Sequence, residues 1–474
     1  MRMSNVSALP IAQRRAIGDA RPRPLDTPGE AQDLLNWLHG ECRTPSVCNQ
    51  GPRVAVIGGG ISGLGAAWAL RQGARPTLFE SAARLGGHAN TVDLSLDGVT
   101  HGVDTGFLVF NARTYPLLLT LFERLGVELA PSRMGFSVQH HELGLEWAGN
   151  DLSSVFAQRR RLFDASFLGM LAELARFNRL TTRIARAGHD AELDEPLQVF
   201  LDRHRFGAMF RQAYLLPMIA CIWSCPADRM LHFPAGSLIR FCHNHGLLRI
   251  RHRPQWMTVR GGSREYVQKM RAQLPDVREG EPVRRVQRLS GGRVRLHRQY
   301  GSEDFDAVVL ACHSDQALAL LDQPTPDECA VLGAVRYQVN RAVLHLDAQM
   351  LPRRRRAWAA WNFEARTGDD ASRPVCLHYL INELQPLPWK RPVIVSMNPL
   401  REPRHVQASF DYAHPVLDAA AARAQRRLDA IQGQGGVWYA GAWTRFGFHE
   451  DGLRSGLAAA RALRRRFAQA WTSA

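Results

Sequence analysis

Arg53-Val54-Ala55-Val56-Ile57-Gly58-Gly59-Gly60-Ile61-Ser62-Gly63-Leu64 is the stretch on which the fold turns. The consecutive apolar residues Val54 to Ile57 read as a buried strand. Glycines 58, 60 and 63 follow the spacing G-x-G-x-x-G, and Leu64, Ala67 and Leu70 then recur at helical intervals. A second short strand, Thr77-Leu78-Phe79, ends at Glu80, 17 residues past Gly63. A β-α-β unit of about thirty residues is what a dinucleotide site requires. Gly58 permits the tight turn, Gly60 lets a pyrophosphate approach the backbone, and Gly63 allows close packing of helix on strand. The helix N-terminus, with Ile61 and Ser62 in its first turn, offers free N–H groups and a partial positive charge to phosphates. Glu80 is placed to accept hydrogen bonds from a ribose diol and would repel a 2′-phosphate, which disfavours NADP.

Just downstream, Ser81 leads to Arg84-Leu85-Gly86-Gly87-His88, and Gly102-Val103-Asp104-Thr105-Gly106 follows. A plain nicotinamide dehydrogenase has no use for a double glycine there. Such a segment lets the backbone turn back along a longer cofactor, with Arg84 available to its phosphates. These residues favour FAD over NAD.

Outward from this unit, residues 1–52 carry scattered Pro and Arg and read as a loosely ordered extension with one weak helical patch around Leu34, Leu35 and Leu38. Residues 151–225 read as helical, with Phe167, Met170, Leu171, Leu174 and Phe177 on one face. Trp256 to Val267 contains Gly261-Gly262 and opens a helix. Val283–Val286, Val294–Leu296 and Asp306–Ala311 read as strands, and 337–415 is mainly strands. Val437 to Gly441 is a strand, and a helix from Gly452 to Phe467 closes the chain.

The 474 residues are 45% hydrophobic and 22% charged, ordinary for a folded protein of two or three structural units. Eight Cys are too few for a disulfide scaffold and fit a reduced compartment. Cys221, Cys225, Cys242, His243 and His245 have no tight metal-ligand spacing, and no metal is assigned. The net charge is +16, and Lys269 and Lys390 are the only lysines, so the basic side is arginine. Such a field attracts anions, but no nucleic-acid module accompanies it, and nucleic acid is not expected as a partner. No apolar run is long enough for a spanning helix, and no secretory signal is evident. A cytoplasmic protein is expected, with peripheral contact on the inner face of the cytoplasmic membrane.

The glycine motif, Glu80, the Arg84–His88 segment and the carboxy-terminal block resemble flavin-dependent amine oxidoreductases, including phytoene-desaturase-type enzymes. Asp104-Thr105-Gly106-Phe107, Asn111-Ala112-Arg113-Thr114-Tyr115-Pro116, Trp223-Ser224 and Phe446-Gly447-Phe448-His449-Glu450-Asp451-Gly452-Leu453-Arg454-Ser455-Gly456 are similar to a narrower group, the FAD-binding proteins found in bacteria beside cyclopropane-fatty-acid synthases. Relatives there are assigned desaturation or reduction of methyl-branched acyl chains on phospholipids. The resemblance spans Arg53 to Leu463. It implies an α/β fold, a Rossmann-like FAD-binding domain interleaved with a mixed helical and strand substrate domain, as in amine oxidases. The FAD domain is expected from 53–110, 256–330 and 426–474, and the substrate domain from 111–255 and 331–425.

By that resemblance Gly58, Gly60, Ile61, Ser62, Gly63, Glu80, Ser81, Arg84, Gly86, Gly87 and His88 hold the ADP half, and the backbone of Val283 meets the adenine. Gly106, Gly441, Ala442, Asp451, Gly452 and Leu453 lie along the ribityl chain and flavin, with the closing helix pointing its positive end at the ring. The lysine that amine oxidases place near flavin N5 has no counterpart, because the corresponding strand reads Asn340-Arg341-Ala342-Val343. His449 and Glu450 are the candidates for proton transfer, or else they hydrogen-bond the loop backbone. Asn382, Glu383 and Gln385 form a second polar cluster open to the same two readings.

Arg159-Arg160-Arg161 beside Phe163, Phe167 and Leu168, Arg353–Arg356 beside Trp358 and Trp361, and Arg464–Arg466 suit an anionic membrane surface. The expected activity is hydride transfer between flavin and a lipid acyl chain. The alternatives are a flavin amine or polyamine oxidase, and a non-catalytic flavin-binding electron carrier. An electron acceptor or a lipid-modifying methyltransferase is the expected protein partner.

Overall fold

The computed structural model describes residues 28–40, 51–189, 193, 195–223, 226–249, 254–365 and 374–472. Its nucleotide-binding half is a parallel sheet of five strands, in the spatial order Asp276–Glu279, Arg75–Glu80, Arg53–Ile57, Ala307–Leu310, Val437–Tyr439. Arg53–Ile57 sits at the centre, Val54 facing Pro76 on one side and Ala307 on the other. It is apolar because both sheet faces are covered. Helix Ile61–Leu70 follows it and is buried along its whole length. The three-stranded meander Val283–Arg288, Val294–Arg298 and Ser302–Phe305 is inserted before the fourth strand.

The second half is built on a seven-stranded sheet, in the order Val406–Val416, Arg336–His345, Ile394–Met397, Cys376–Leu380, Trp361–Ala365, Phe136–His140, Leu145–Ala148. Sequence reading covers its longest strand, Val406–Val416, only within the strand-rich region 337–415, and misses the pair at 136–148. The period-2 signal is present there: Val406, Ala408, Phe410 and Tyr412 alternate with Gln407, Ser409 and Asp411, and Phe136 and Val138 with Ser137 and Gln139. The helical stretch contains helix Ala165–Ala187, capped by Asp164, which accepts from the N–H groups of Ser166 and Phe167.

Two expectations need correction. Residues 28–40 are not loose: Pro28–Gly40 is a helix that buries Leu34, Trp37 and Leu38 against helix Pro116–Leu125 and the closing helix. The rest of the expected extension, 1–27 and 41–50, lies outside the described residues, as do Ser224 and Cys225. The closing helix begins at His449 rather than Gly452 and runs to Thr472.

The closing helix lies on the glycine helix at backbone contact. A Cβ on Gly456 would stand 2.0 Å from the Ser62 carbonyl oxygen, and one on Gly65 would stand 2.6 Å from Leu453 Cδ1. No helix among the described residues is long and apolar enough to cross a membrane.

Candidate active site

The carboxyl ends of the parallel strands open onto one cavity of about 1520 Å³ that continues under the seven-stranded sheet. Ligand pockets usually occupy roughly 300–1,000 Å³, so this one has room for a dinucleotide and a second molecule.

At the nucleotide end the glycine turn is locked in place. The Gly58 N–H donates to the Phe79 carbonyl (2.8 Å), and the Gly86 N–H donates to the Gly59 carbonyl (2.8 Å). Gly58 has φ +111°, and a Cβ there would lie 2.7 Å from the Ala311 carbonyl oxygen. Gly63 has no space either, its Cβ position being 1.8 Å from the Gly58 oxygen. Gly60 is the exception: nothing lies within 4 Å of an added Cβ, and the residue lines the cavity. It is also the N-cap of helix Ile61–Leu70 and makes no side-chain cap bond. An open glycine beside uncapped helix N–H groups is a cradle shaped for a phosphate.

Glu80 ends its strand at the cavity. It accepts from the N–H groups of Gly59 (2.6 Å) and Ala82 (2.8 Å). A carboxylate has about four lone-pair sites, which leaves acceptors for a diol. Ser81, Gly86, Gly87, His88 and Val283 also line the cavity. His88 Nε2 is buried without a hydrogen-bond partner and stands beside His313, His414 and Tyr412. Burial above all, with the neighbouring His414, His313, His449 and Arg84, depresses the His88 pKa. An open phosphate cradle, a diol acceptor and an unpartnered ring nitrogen together fit FAD.

Arg84 does not take its expected place. Its guanidinium donates to the carbonyls of Gly87 (3.0 Å), Leu85 and Ala89, so it braces the double-glycine turn instead of facing the cavity.

At the far end Gly106, Phe107, Gly441, Ala442, Trp443, Phe448 and His449 line the space. His449 stacks on Phe107 (centroids 3.7 Å, planes 7° apart), and its Nε2 is 2.8 Å from the Tyr266 hydroxyl. Burial pushes its pKa down to about 3, so the ring is neutral at physiological pH.

Glu450 turns away from the cavity and accepts from the N–H groups of Leu117 (2.8 Å) and Leu118 (3.0 Å), capping helix Pro116–Leu125. Asp451 accepts from the Phe448 N–H (3.0 Å) at the start of its own helix. Gly452 and Leu453 face the glycine helix, and none of these four lines the cavity. Glu450 is therefore a capping group, and of the two proton-transfer candidates only His449 reaches the space. Side chains carry functional weight in a sequence motif whether they face a ligand or a neighbouring helix, and spacing alone does not separate the two.

The other polar cluster is also structural. Gln385 bonds Asp104 through the Asp104 N–H (2.9 Å) and Oδ2 (3.0 Å), and Asp104 accepts from Ser263 N–H and Oγ. Asn382 closes the turn at 389–393, and Glu383 pairs with Arg133. Cys221 and His245 both line the cavity, and His245 stacks on Phe241 and is held neutral by burial, which lowers its pKa to about 4.

Sequence reading overlooks Ala311, Cys312 and His313, which line the cavity after the fourth strand. The signal was present: ligands of parallel sheets bind at carboxyl ends, and that strand was recognised. The substrate side is walled by residues such as Met134, Phe136, Tyr214, Phe241, Trp256, Trp361 and Tyr379. Among the described residues that line the cavity, Glu80 and Glu281 are the only carboxylates, both at the nucleotide end, and none is a lysine.

Comparison with known proteins agrees with this geometry. A carotenoid phi-ring synthase of Streptomyces griseus is 28% identical over 298 residues, 58% of this chain; the chain spans about half (55%) of that relative's length. Two solved structures share the fold: a fatty acid isomerase from P. acnes that produces CLA (TM-score 0.61, 15% identity, 89% of this chain and 99% of that one) and cyclohexylamine oxidase from Brevibacterium oxydans (TM-score 0.59, 17% identity, 88% and 99%). The profile of the flavin containing amine oxidoreductases matches residues 61–347, from the first turn of the glycine helix to the middle of the seven-stranded sheet. With that match over more than half of the sequence and a cradle that fits FAD, the chain belongs to the flavin containing amine oxidoreductase family.

Proposed function

We propose that the protein transfers a hydride between its flavin and a carbon of a lipid acyl chain, desaturating or reducing a methyl-branched or related phospholipid. The composition of the chamber carries this reading: its walls are mainly apolar and aromatic, with Arg133 the charged residue at its edge, and among the described residues no carboxylate or lysine lines them. An amine substrate is a cation at neutral pH, and burying it without a counter-ion costs several kcal/mol. An acyl chain has no such requirement. An electron carrier has no need for a chamber of this depth.

FAD supplies the hydride chemistry when bound. The chain's own residues position and exclude. Phe107 and His449 form a fixed stack at the flavin end, and the aromatic wall keeps water from the reacting carbon. The neutral His449 offers no ready proton, in keeping with a transfer governed by geometry. Re-oxidation or reduction of the flavin then falls to an external electron partner, and a lipid-modifying methyltransferase is the reaction class that would supply a methyl-branched chain.

The cavity mouth supports delivery from a bilayer. Leu152 lines the cavity and is 78% exposed, and Phe163 nearby in sequence is 90% exposed, with Leu162 and Leu168 also exposed. Arg159 and Arg160 are exposed beside them. The exposed run Arg353–Arg356 is adjacent, because the turn Arg355–Ala357 packs against helix Leu152–Val155. Apolar side chains between arginines suit an anionic headgroup layer over acyl chains. Trp361 faces the chamber, whereas Trp358 packs on the opposite sheet face under Arg355.

The test is anaerobic mixing of the yellow protein with branched and unbranched acyl phospholipids, and separately with polyamines, following flavin absorbance, alongside lipid profiles of cells with and without the protein. Acyl-dependent bleaching or re-oxidation, and a changed acyl profile, are expected. Reduction by polyamines alone would overturn the acyl reading.

A further inference from the structure

The face of the seven-stranded sheet turned away from the chamber holds a group that the oxidoreductase reading leaves unused. Strand alternation places Trp361 and Tyr379 on the chamber side and Glu364, Cys376 and His378 on the other. Glu364 and Cys376 are direct cross-strand partners, and His378 is two residues along on the same face. Cys376 is 3% exposed and His378 1%.

Three different donor atoms converge there. His378 Nε2 is 3.0 Å from Glu364 Oε2 and 3.6 Å from Cys376 Sγ, and Sγ is 3.8 Å from Oε2. A point about 2 Å from all three atoms exists at those separations, the length of Zn–N and Zn–O bonds, and a slight move out of their plane admits the ~2.3 Å Zn–S bond. A thiol aimed at a ring nitrogen and a carboxylate gains little as a hydrogen bond, whereas thiolate, imidazole and carboxylate are a zinc donor set. Thiolate and carboxylate together cancel a divalent charge, which a site this buried requires.

The supporting residues are in place. His378 Nδ1 is 2.6 Å from Ser396 Oγ, which is also 2.6 Å from His345 Nε2. His345 Nδ1 accepts from the Asp347 N–H (3.1 Å), so its Nε2 carries the proton and donates to Ser396. Ser396 Oγ has a second lone pair for a His378 Nδ1–H, and that tautomer leaves His378 Nε2 free to bind metal. The other oxygen of Glu364 is 2.8 Å from His141 Nε2, on the side where the group reaches solvent.

We propose that Glu364, Cys376 and His378 bind one zinc ion, which ties two strands of the sheet together behind the wall that Trp361 and Tyr379 present to the chamber. On binding, the Cys376 thiol gives up its proton to solvent and its sulfur bonds the metal; no redox change occurs. The inference does not depend on the identity of the flavin's substrate.

The test uses the full-length, flavin-loaded protein without an affinity tag, stripped with chelator and titrated with Co²⁺. One equivalent should produce tetrahedral cobalt bands and a thiolate-to-cobalt charge-transfer band, both lost on adding Zn²⁺. Cys376→Ser should remove the charge-transfer band. Ser396→Ala, which touches no metal, should weaken zinc binding on the order of 10–100-fold while flavin content is unchanged. Zinc should raise the melting temperature of the wild type and not that of Cys376→Ser, which keeps the question answerable if other ligand variants misfold. No cobalt spectrum, or uptake that Cys376→Ser leaves unaltered, overturns the proposal.

Discussion

Gly60 and Gly63 are three residues apart and should respond oppositely to the same added methyl group. Gly63→Ala drives a Cβ to 1.8 Å from the Gly58 oxygen, and overpacking of this kind costs about 1–3 kcal/mol or more. Gly60→Ala meets nothing in the protein and keeps an extended φ of −74°, so its cost falls on the ligand. Thermal melts of flavin-free protein should show Gly60→Ala at wild-type stability and Gly63→Ala well below it. Titration with FAD should show Gly60→Ala weakened on the order of tenfold or more, or about 1.4 kcal/mol. Equal flavin affinity in Gly60→Ala and wild type would remove Gly60 from the phosphate site.

The capping carboxylate Glu450 is a second residue with a separable role. Glu450→Ala should lower stability by about 1–2 kcal/mol, as loss of a helix cap does, without changing the rate of flavin reduction at saturating substrate. Burial raises its pKa to about 8, against an ordinary 4.5. The unfolded chain thus releases this proton first, and stability should fall as pH rises toward 8. In Glu450→Gln, melting temperature plotted against pH should flatten between about pH 4.5 and 8; an unchanged slope would show that the carboxyl ionises normally.

Among the elements, the pairing of glycine helix and closing helix bears the most. Gly456→Ala would place a methyl 2.0 Å from the Ser62 oxygen, behind the phosphate cradle, and it should reduce both melting temperature and bound flavin although residue 456 does not line the cavity. The β-α-β unit was legible because a nucleotide site imposes spacing on glycines, and steric need shows directly in composition. The closing helix was legible as a helix, but its start was not, since Glu450 and Asp451 can serve a ligand or a cap equally well in one dimension. The alternation at 136–139 and 406–412 is there to read, but runs this short do not show in one dimension which sheet they join, a sheet whose other strands carry Asn362, His378 and Ser396 in a buried hydrogen-bond network with Ser137. Arg84 misled for a related reason: a cation beside a glycine turn looks the same whether it serves a phosphate or three carbonyls.

For the whole molecule, buried neutral histidines set the acid limit. His449 is depressed to about 3, and His245, His345 and His414 to about 4, mainly by burial. The unfolded chain takes up these protons near pH 6.5 and the folded one does not, so stability should decline as pH falls from there toward 4. Chemical denaturation across that range should show it; a flat profile would mean that the rings are solvated. The mouth makes a further prediction at this scale. Phe163→Asp should reduce sedimentation with anionic vesicles while leaving flavin content unchanged, and raised salt should weaken the wild type similarly. Equal binding by wild type and variant would place the membrane contact elsewhere.

The central strand begins at Arg53, and the helix that beds its glycine turn begins at His449, so about 400 residues of chain separate two parts of one cradle. Contacts so far apart in sequence form late, because a long loop must close before they reward it. Flavin should therefore be taken up only in the final phase of refolding, and a chain cut before His449 should emerge pale and prone to degradation.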